Sequence, residues 1–176
     1  IPLLVSPLAT VSAVDTQRTL IQNRGSDSMA IAVVGWAEQY GRNNTAVGIA
    51  VSGGGTGTGI AALLNGTVDV ANASRAMNRR EIYLAKEHGI APVQHIIGYD
   101  AVAVYVHKDN PVISLSFSQL ADIYGDGGKT ELWTDLGIEV PGCGDQRIVR
   151  VGRQNSSGTY AYINKNVLGG KRLKQG

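Results

Sequence analysis

Three times along this 176-residue chain, glycine and hydroxyl residues stand directly ahead of an apolar repeat of helical spacing. Gly25-Ser26-Asp27-Ser28 precedes the first repeat, Gly53-Gly54-Gly55-Thr56-Gly57-Thr58-Gly59 the second, and Asn155-Ser156-Ser157-Gly158-Thr159 the last. A helix start leaves backbone N–H groups unpaired and carries the positive end of the helix dipole, so it attracts anions. Glycine lets the backbone come close to a ligand, and Ser or Thr adds a hydroxyl donor. The same residue types also cap helices with no ligand involved. The pattern fixes three helix starts and leaves both uses open, with Arg75 and Arg153 near enough in sequence to favour an anion.

What lies between these segments decides the fold class. Met29, Val33, Trp36, Ala37 and Tyr40 recur at helical spacing, with Ser26 or Asp27 to cap the start and Gly41 to close it. Val47 to Val51 reads as a strand, Ile60 to Asn65 as a short helix closed by Gly66, and Val68 to Ala71 as a second strand. Asn78 with Glu81 three residues on has the form of a capping box, opening a helix that ends at Gly89. Val93 to Ile97 and Ala101 to His107 read as strands, the second apolar on both faces like an interior strand. Beyond the turn at Asp109-Asn110-Pro111, Ser116 and Gln119 predict another box-capped helix, through Tyr124. A glycine-rich loop, a Trp133 segment, a strand from Ile148 to Val151 and a helix from about Tyr160 to Leu168 follow. Strands alternating with helices predict α/β layers with mainly parallel strands.

Composition narrows the function. The chain is 43% hydrophobic and 17% charged, with 23 glycines, which describes a globular protein poor in solvating charge. Its net charge of +2 is evenly spread, and the only dense basic cluster is Lys171, Arg172 and Lys174, a solvated tail. No nucleic-acid footprint follows, because basic residues are not gathered with aromatics between them. No run approaches the roughly 18 apolar residues of a membrane span. Ile1 to Ala13 is apolar, uncharged and ends in small residues, so it reads equally as the remnant of a secretory signal and as an ordinary N-terminal segment. Cys143 is the sole cysteine and forms no internal disulfide.

Catalytic signatures do not assemble. There is no G-x-x-x-x-G-K-[ST] phosphate loop, and Ser156 and Ser157 lack the flanking glycines of a nucleophile elbow. His88, His95 and His107 have no carboxylate or cysteine at metal-ligand spacing, so no metal and no cofactor is expected. Gly57-Thr58-Gly59-Ile60-Ala61-Ala62 fits G-x-G-x-x-A between a strand and a helix, which keeps a dinucleotide-binding oxidoreductase using Gly57, Gly59 and Ala62 as an alternative.

Read together, these segments resemble the phosphate-binding proteins of bacterial ABC importers, the PstS family of periplasmic solute-binding proteins. The resemblance runs in order from residue 25 to about 168. It is carried by Gly25 to Met29, Trp36-Ala37-Glu38, Ser52 to Ile60, Asn65 to Asp69 running into Ala73-Ser74-Arg75, Gly98 to Ala101, Asp109-Asn110-Pro111, Leu120 to Tyr124, and Arg153 to Thr159. It implies a periplasmic-binding-protein-like fold of type II, with two α/β lobes closing on a dehydrated phosphate, and no enzyme. By motif position, Ser28 with the Met29 amide, Thr56, Arg153, Ser157, Gly158 and Thr159 would hold the anion. Many members carry a carboxylate where this chain has Arg75, which leaves the proton acceptor at Arg75 in question and makes Asp100 its replacement candidate. A carboxylate there would accept the proton of hydrogen phosphate and repel sulfate, which has none.

Further expectations follow from the resemblance. Residues 14–107 would form the first lobe and 108–176 part of the second, with the C-terminal return to the first lobe missing and a sheet edge left exposed. The partners implied are inorganic phosphate and a membrane ABC permease. The location would be periplasmic or extracellular, with membrane association an option, and the full-length protein would be a monomer. A phosphate scavenger or sensor without a transporter is a second alternative.

Overall fold

A computed structural model describes residues 18–174, so the N-terminal reading of residues 1–13 lies outside the described residues. The first half is built on a parallel sheet of three strands, β1 (Thr19–Gly25), β2 (Val47–Ser52) and β3 (Val70–Asn72), in the order β2-β1-β3. Thr19 lies opposite Val47 and Arg24 opposite Ser52, while Asn23 lies opposite Val70 and Gly25 opposite Asn72. A short 3-10 turn (Asp27–Met29) leads from β1 into α1 (Ala30–Asn43), and α2 (Thr56–Leu64) carries the chain from β2 past β1 to β3. Right-handed crossovers that move first one way from β1 and then back past it place α1 and α2 on opposite faces. In such sheets ligands sit beyond the carboxyl ends of the strands where the order reverses. Gly25, Ser52 to Gly55 and Asn72 to Ser74 all stand at that end.

α2 is the buried helix of this half. Ile60 and Leu64 pack with Ala85 of α3 (Arg79–Glu87), and Met77 and Leu84 close over them. Burying side chains of this size stabilises by roughly 1.5–3 kcal/mol each. The helix comes so close to β1 that a Cβ on Gly59 would lie 2.6 Å from the Gly25 Cα and still nearer the Arg24 carbonyl. Gly25 itself has a positive φ of 149°, and a side chain there would run into the Asn72 carbonyl. Between the paired strands, the buried side chains of Asn23 and Asn72 bond each other through both amide groups. α3 opens on the expected capping box, with the Glu81 amide donating to Asn78 and the Asn78 amide to Glu81. At its end His88 reaches the Leu64 carbonyl at 2.7 Å.

The second half holds α4 (Phe117–Tyr124), a 3-10 turn at Trp133–Leu136 and α5 (Gly158–Asn166). Ser116 and Gln119 form the expected box ahead of α4. Ile123, Ile148 and Leu168 are buried. Polar clasps tie the loops down. Asp122 accepts from the amides of Lys129 and Thr130 and from the Thr130 hydroxyl, and Glu131 pairs with both Arg150 and Lys174.

Three expected strands are absent. Val93 to Ile97, Ala101 to His107 and Ile148 to Val151 are not in a sheet, although their composition suits one. A strand needs a neighbour for its N–H and C=O groups. Among the described residues none pairs with 91–106, whose backbone makes no hydrogen bond to other backbone. Ile148 donates once to Glu131 beside the isolated Leu132–Arg147 bridge, and the pairing goes no further. The expected interior strand, Ala101 to His107, is consequently on the surface, with Tyr105 88% and Val104 48% exposed. In the other direction, β1 does not stand out in the sequence, yet it is the central strand.

Candidate anion-binding site

The three glycine and hydroxyl segments meet. The Gly55 amide donates to the Gly25 carbonyl at 2.9 Å, joining the α2 start to the end of β1. The Gly57 amide donates to the Ser156 carbonyl at 2.8 Å, and the Ser156 hydroxyl donates to the Gly54 carbonyl at 2.9 Å, joining the α2 start to the approach of α5. Gly158 faces Ser74 and Thr56 so closely that a Cβ would lie 2.9 Å from the Thr56 hydroxyl oxygen. Residues more than 100 positions apart thus form one cluster at the carboxyl end of the sheet.

Each member is placed by its local element. Ser28 and Met29 lie on the turn into α1, with the Ser28 hydroxyl 3.0 Å from that of Ser26. Thr56, the first residue of α2, is fully buried. Its hydroxyl oxygen accepts from the Ser74 amide at 3.1 Å and lies 3.0 Å from the Ser74 hydroxyl. Ser157 caps α5 by accepting from the Tyr160 amide, and Gly158 and Thr159 form its first turn. Their two amides have no protein acceptor among the described residues, as expected at a helix start. Thr56 and Ser157 therefore shape the cluster as much as they could serve a ligand.

Arg153 joins the cluster through a carboxylate that sequence reasoning treated only as a helix cap. Asp27 does not cap α1. One of its oxygens accepts from the Gly54 amide at 2.8 Å, and the other accepts from Arg153 Nη2 at 2.7 Å and from the Gln154 side chain at 3.1 Å. The Gly54 amide, the Gln154 amide and the Arg153 charge together hold the Asp27 carboxyl below its ordinary range. The available signal was its position, midway in a segment otherwise made of small neutral residues. Gln154, Ser74 and Ser156 lie in the segments singled out in the sequence but were not named as site residues, since only the fold brings them to Asp27, Thr56 and Gly54.

Two expected residues have other surroundings. The Arg75 guanidinium is bound two-pronged to Glu81, at 2.8 and 2.7 Å. The bond to Glu81 raises the Arg75 pKa. Burial pushes the Glu81 carboxyl up, but the bonds from Arg75 and the Asn78 amide outweigh it and leave the group below its usual value. Asp100 lies on the exposed 91–106 stretch and accepts from the adjacent Ala101 amide. The Gly57-Gly59-Ala62 turn is also occupied: the Gly57 amide is taken by Ser156, and Gly59 is pressed against β1.

A parallel sheet whose strand ends gather helix starts, hydroxyls and an arginine is an α/β construction suited to an anion. The chain belongs to the PBP superfamily, whose domain model matches residues 10–176. It is 31% identical over 170 residues to protein SphX of Synechococcus elongatus, covering 96% of this chain and 50% of that one. It is 33% identical to the phosphate-binding protein PstS of Pseudomonas aeruginosa, over 82% of this chain and 46% of that one. A Clostridium perfringens structure with bound phosphate, described as a candidate phosphate ABC transporter substrate-binding protein, superposes with a TM-score of 0.70 at 31% identity, covering 85% of this chain and 56% of that one. An ABC-type phosphate transport receptor of Vibrio cholerae gives 0.62 at 30% identity, over 83% and 54%. The chain spans about half the length of the curated relatives it matches. The superfamily is one of solute-binding proteins, and the comparisons give no support to the dinucleotide reading. Among the described residues no helix is long and apolar enough to cross a membrane.

Proposed function

We propose that this chain is the phosphate-binding part of a solute-binding protein that serves an ABC importer. The observation that carries the reading is the meeting of three helix starts around Thr56, with Arg153 brought to them from 97 positions further along the chain. Ser28, the Met29 amide, Thr56, Arg153, Ser157, Gly158 and Thr159 are the binding residues in this reading. Residues 14–107 and 108–176 act as two lobes whose hinge movement closes the site. The protein performs no chemistry on its ligand. It works outside the cytoplasm as a monomer and hands phosphate to a membrane permease, in keeping with the names of its relatives.

The physical case rests on charge-assisted bonds. Hydrogen bonds to a charged group contribute about 1.5–3 kcal/mol each. For a five-atom ligand, the efficiency ceiling of about 1.5 kcal/mol per atom gives roughly −7.5 kcal/mol, a low-micromolar affinity. Titration calorimetry with phosphate and with sulfate tests this. Phosphate is expected to bind in the micromolar range or tighter and sulfate more weakly, and no heat with phosphate sinks the reading. Arg153→Ala is expected to abolish binding, and retained affinity removes Arg153 from the site.

A further inference from the structure

We propose that Asp27 is a resident anion, a carboxylate of the chain itself that occupies donors of the site and must give way when an external anion binds. The inference rests on the phosphate-site reading above. The donors Asp27 holds are those an oxyanion would seek: a backbone N–H at the approach to α2, the Arg153 guanidinium and a side-chain amide. They come from two segments, 27 and 126 or 127 positions away, so the carboxylate fastens the approach to α5 onto the approach to α2. The place it lies in is shaped for it. A Cβ on Gly53 would stand 2.6 Å from Asp27 Oδ1, so the carboxylate would have to shift to make room for one.

The contact suits a ligand that can be exchanged. About a third of the Asp27 and Arg153 side chains remains open to solvent, at 35% and 38%. An ion pair so exposed contributes little, and a small anion can reach it without unfolding anything. Arg153 Nε is also engaged, by the Gln154 side-chain oxygen, while no acceptor takes Nη1 among the described residues. An incoming anion therefore has the free Nη1 group of Arg153 to land on before Asp27 leaves Nη2. Until Asp27 withdraws, its charge repels the visitor. Asp27 thus sets the affinity of the site for every anion, whatever its proton count, and acts by competition with it.

Replacing Asp27 by Asn removes the competing charge and keeps an oxygen for the Gly54 amide. Asp27→Asn is expected to tighten both phosphate and sulfate by about fivefold, the amount by which a partly exposed ion pair opposes displacement. The gain should shrink as salt is raised, because screening weakens the charge that was removed. Gly53→Ala offers an independent route, since the new methyl group would push the carboxylate out of line with the Gly54 amide and Arg153 while leaving its charge on the chain. It too is expected to tighten phosphate. Calorimetry on the 176-residue chain and both variants, with folding checked by circular dichroism, decides. Phosphate affinity unchanged or weakened in folded Asp27→Asn overturns the proposal, and where that variant does not fold the same criterion applies to Gly53→Ala. A wild-type chain that binds neither anion overturns the phosphate-site reading instead, so the two failures are distinct.

Discussion

Two glycines inside helices should respond in opposite directions to the same change. Gly35 lies in the middle of α1 with nothing within 4 Å of where a Cβ would stand. Replacing it by alanine gains helix propensity and reduces the freedom of the unfolded chain, worth about 0.8–1 kcal/mol. Gly59 lies in α2 on the other face of the sheet, and its new methyl group would stand 2.6 Å from the Gly25 Cα, where carbons normally keep about 3.5–4.0 Å. The obstacle is backbone, with no rotamer to turn aside, so α2 would have to retreat by roughly 1 Å. Overpacking of this kind costs about 1–3 kcal/mol, and a backbone obstacle belongs at the upper end. After subtraction of the same propensity gain, Gly59→Ala is expected to lose about 2 kcal/mol. With a urea slope of about 2 kcal/mol/M, the unfolding midpoint should rise by about 0.5 M in Gly35→Ala and fall by about 1 M in Gly59→Ala. Because Thr56 and Gly57 ride on the same helix, phosphate affinity should fall in Gly59→Ala and stay unchanged in Gly35→Ala. If both variants are stabilised alike, α2 does not approach β1 as described, and the placement of the whole cluster fails with it.

Two further outcomes concern the second half. Bonds from the Thr130 hydroxyl and the Lys129 and Thr130 amides bring the Asp122 carboxyl from its ordinary 3.8 down to about 2. A group lowered in this way contributes stability above about pH 4 that is lost as pH falls from about 4 towards 2; Asp122→Asn should flatten that part of the melting-temperature profile, and an unchanged slope refutes the assignment. Ser157→Ala removes the cap at the start of α5 and should lower stability in urea by about 1 kcal/mol, while a neutral result would mean that the 3.4 Å bond to the Tyr160 amide contributes nothing.

What the sequence disclosed depended on whether a signal was local. The capping boxes of Asn78 with Glu81 and Ser116 with Gln119 close within three residues, and both are present. The starts of α2 and α5 were equally plain, because glycine and hydroxyl residues announce them. β1 was not, because Leu20 and Ile21 are its only large apolar residues and Gln22, Asn23 and Arg24 follow them, and its central place depends on β2 and β3. The opposite error occurred at Ala101 to His107, whose composition suits a strand but which no neighbour pairs with among the described residues. In the candidate site, Thr56 and Ser157 were found through their positions at helix starts. Asp27, Gln154 and Ser74 were missed, since their partners lie 18 to 127 residues away.

The reciprocal amide bonds of Asn23 and Asn72 give the sheet a means of counting. Hydrophobic strands of period two can slide by two residues and still turn the right faces inward. β3 has only three residues, so its apolar content alone would resist such a slip weakly. Two facing amides do not tolerate it, because each would be left buried with its donor and acceptor unmet, at a cost of about 1–3 kcal/mol per group. Only one alignment satisfies both, and it is the one that brings Gly25 level with Asn72, and with it Ser74 to Thr56. The pair works as a key between two strands, and what it admits is the single setting in which the end of β1 meets the start of α2.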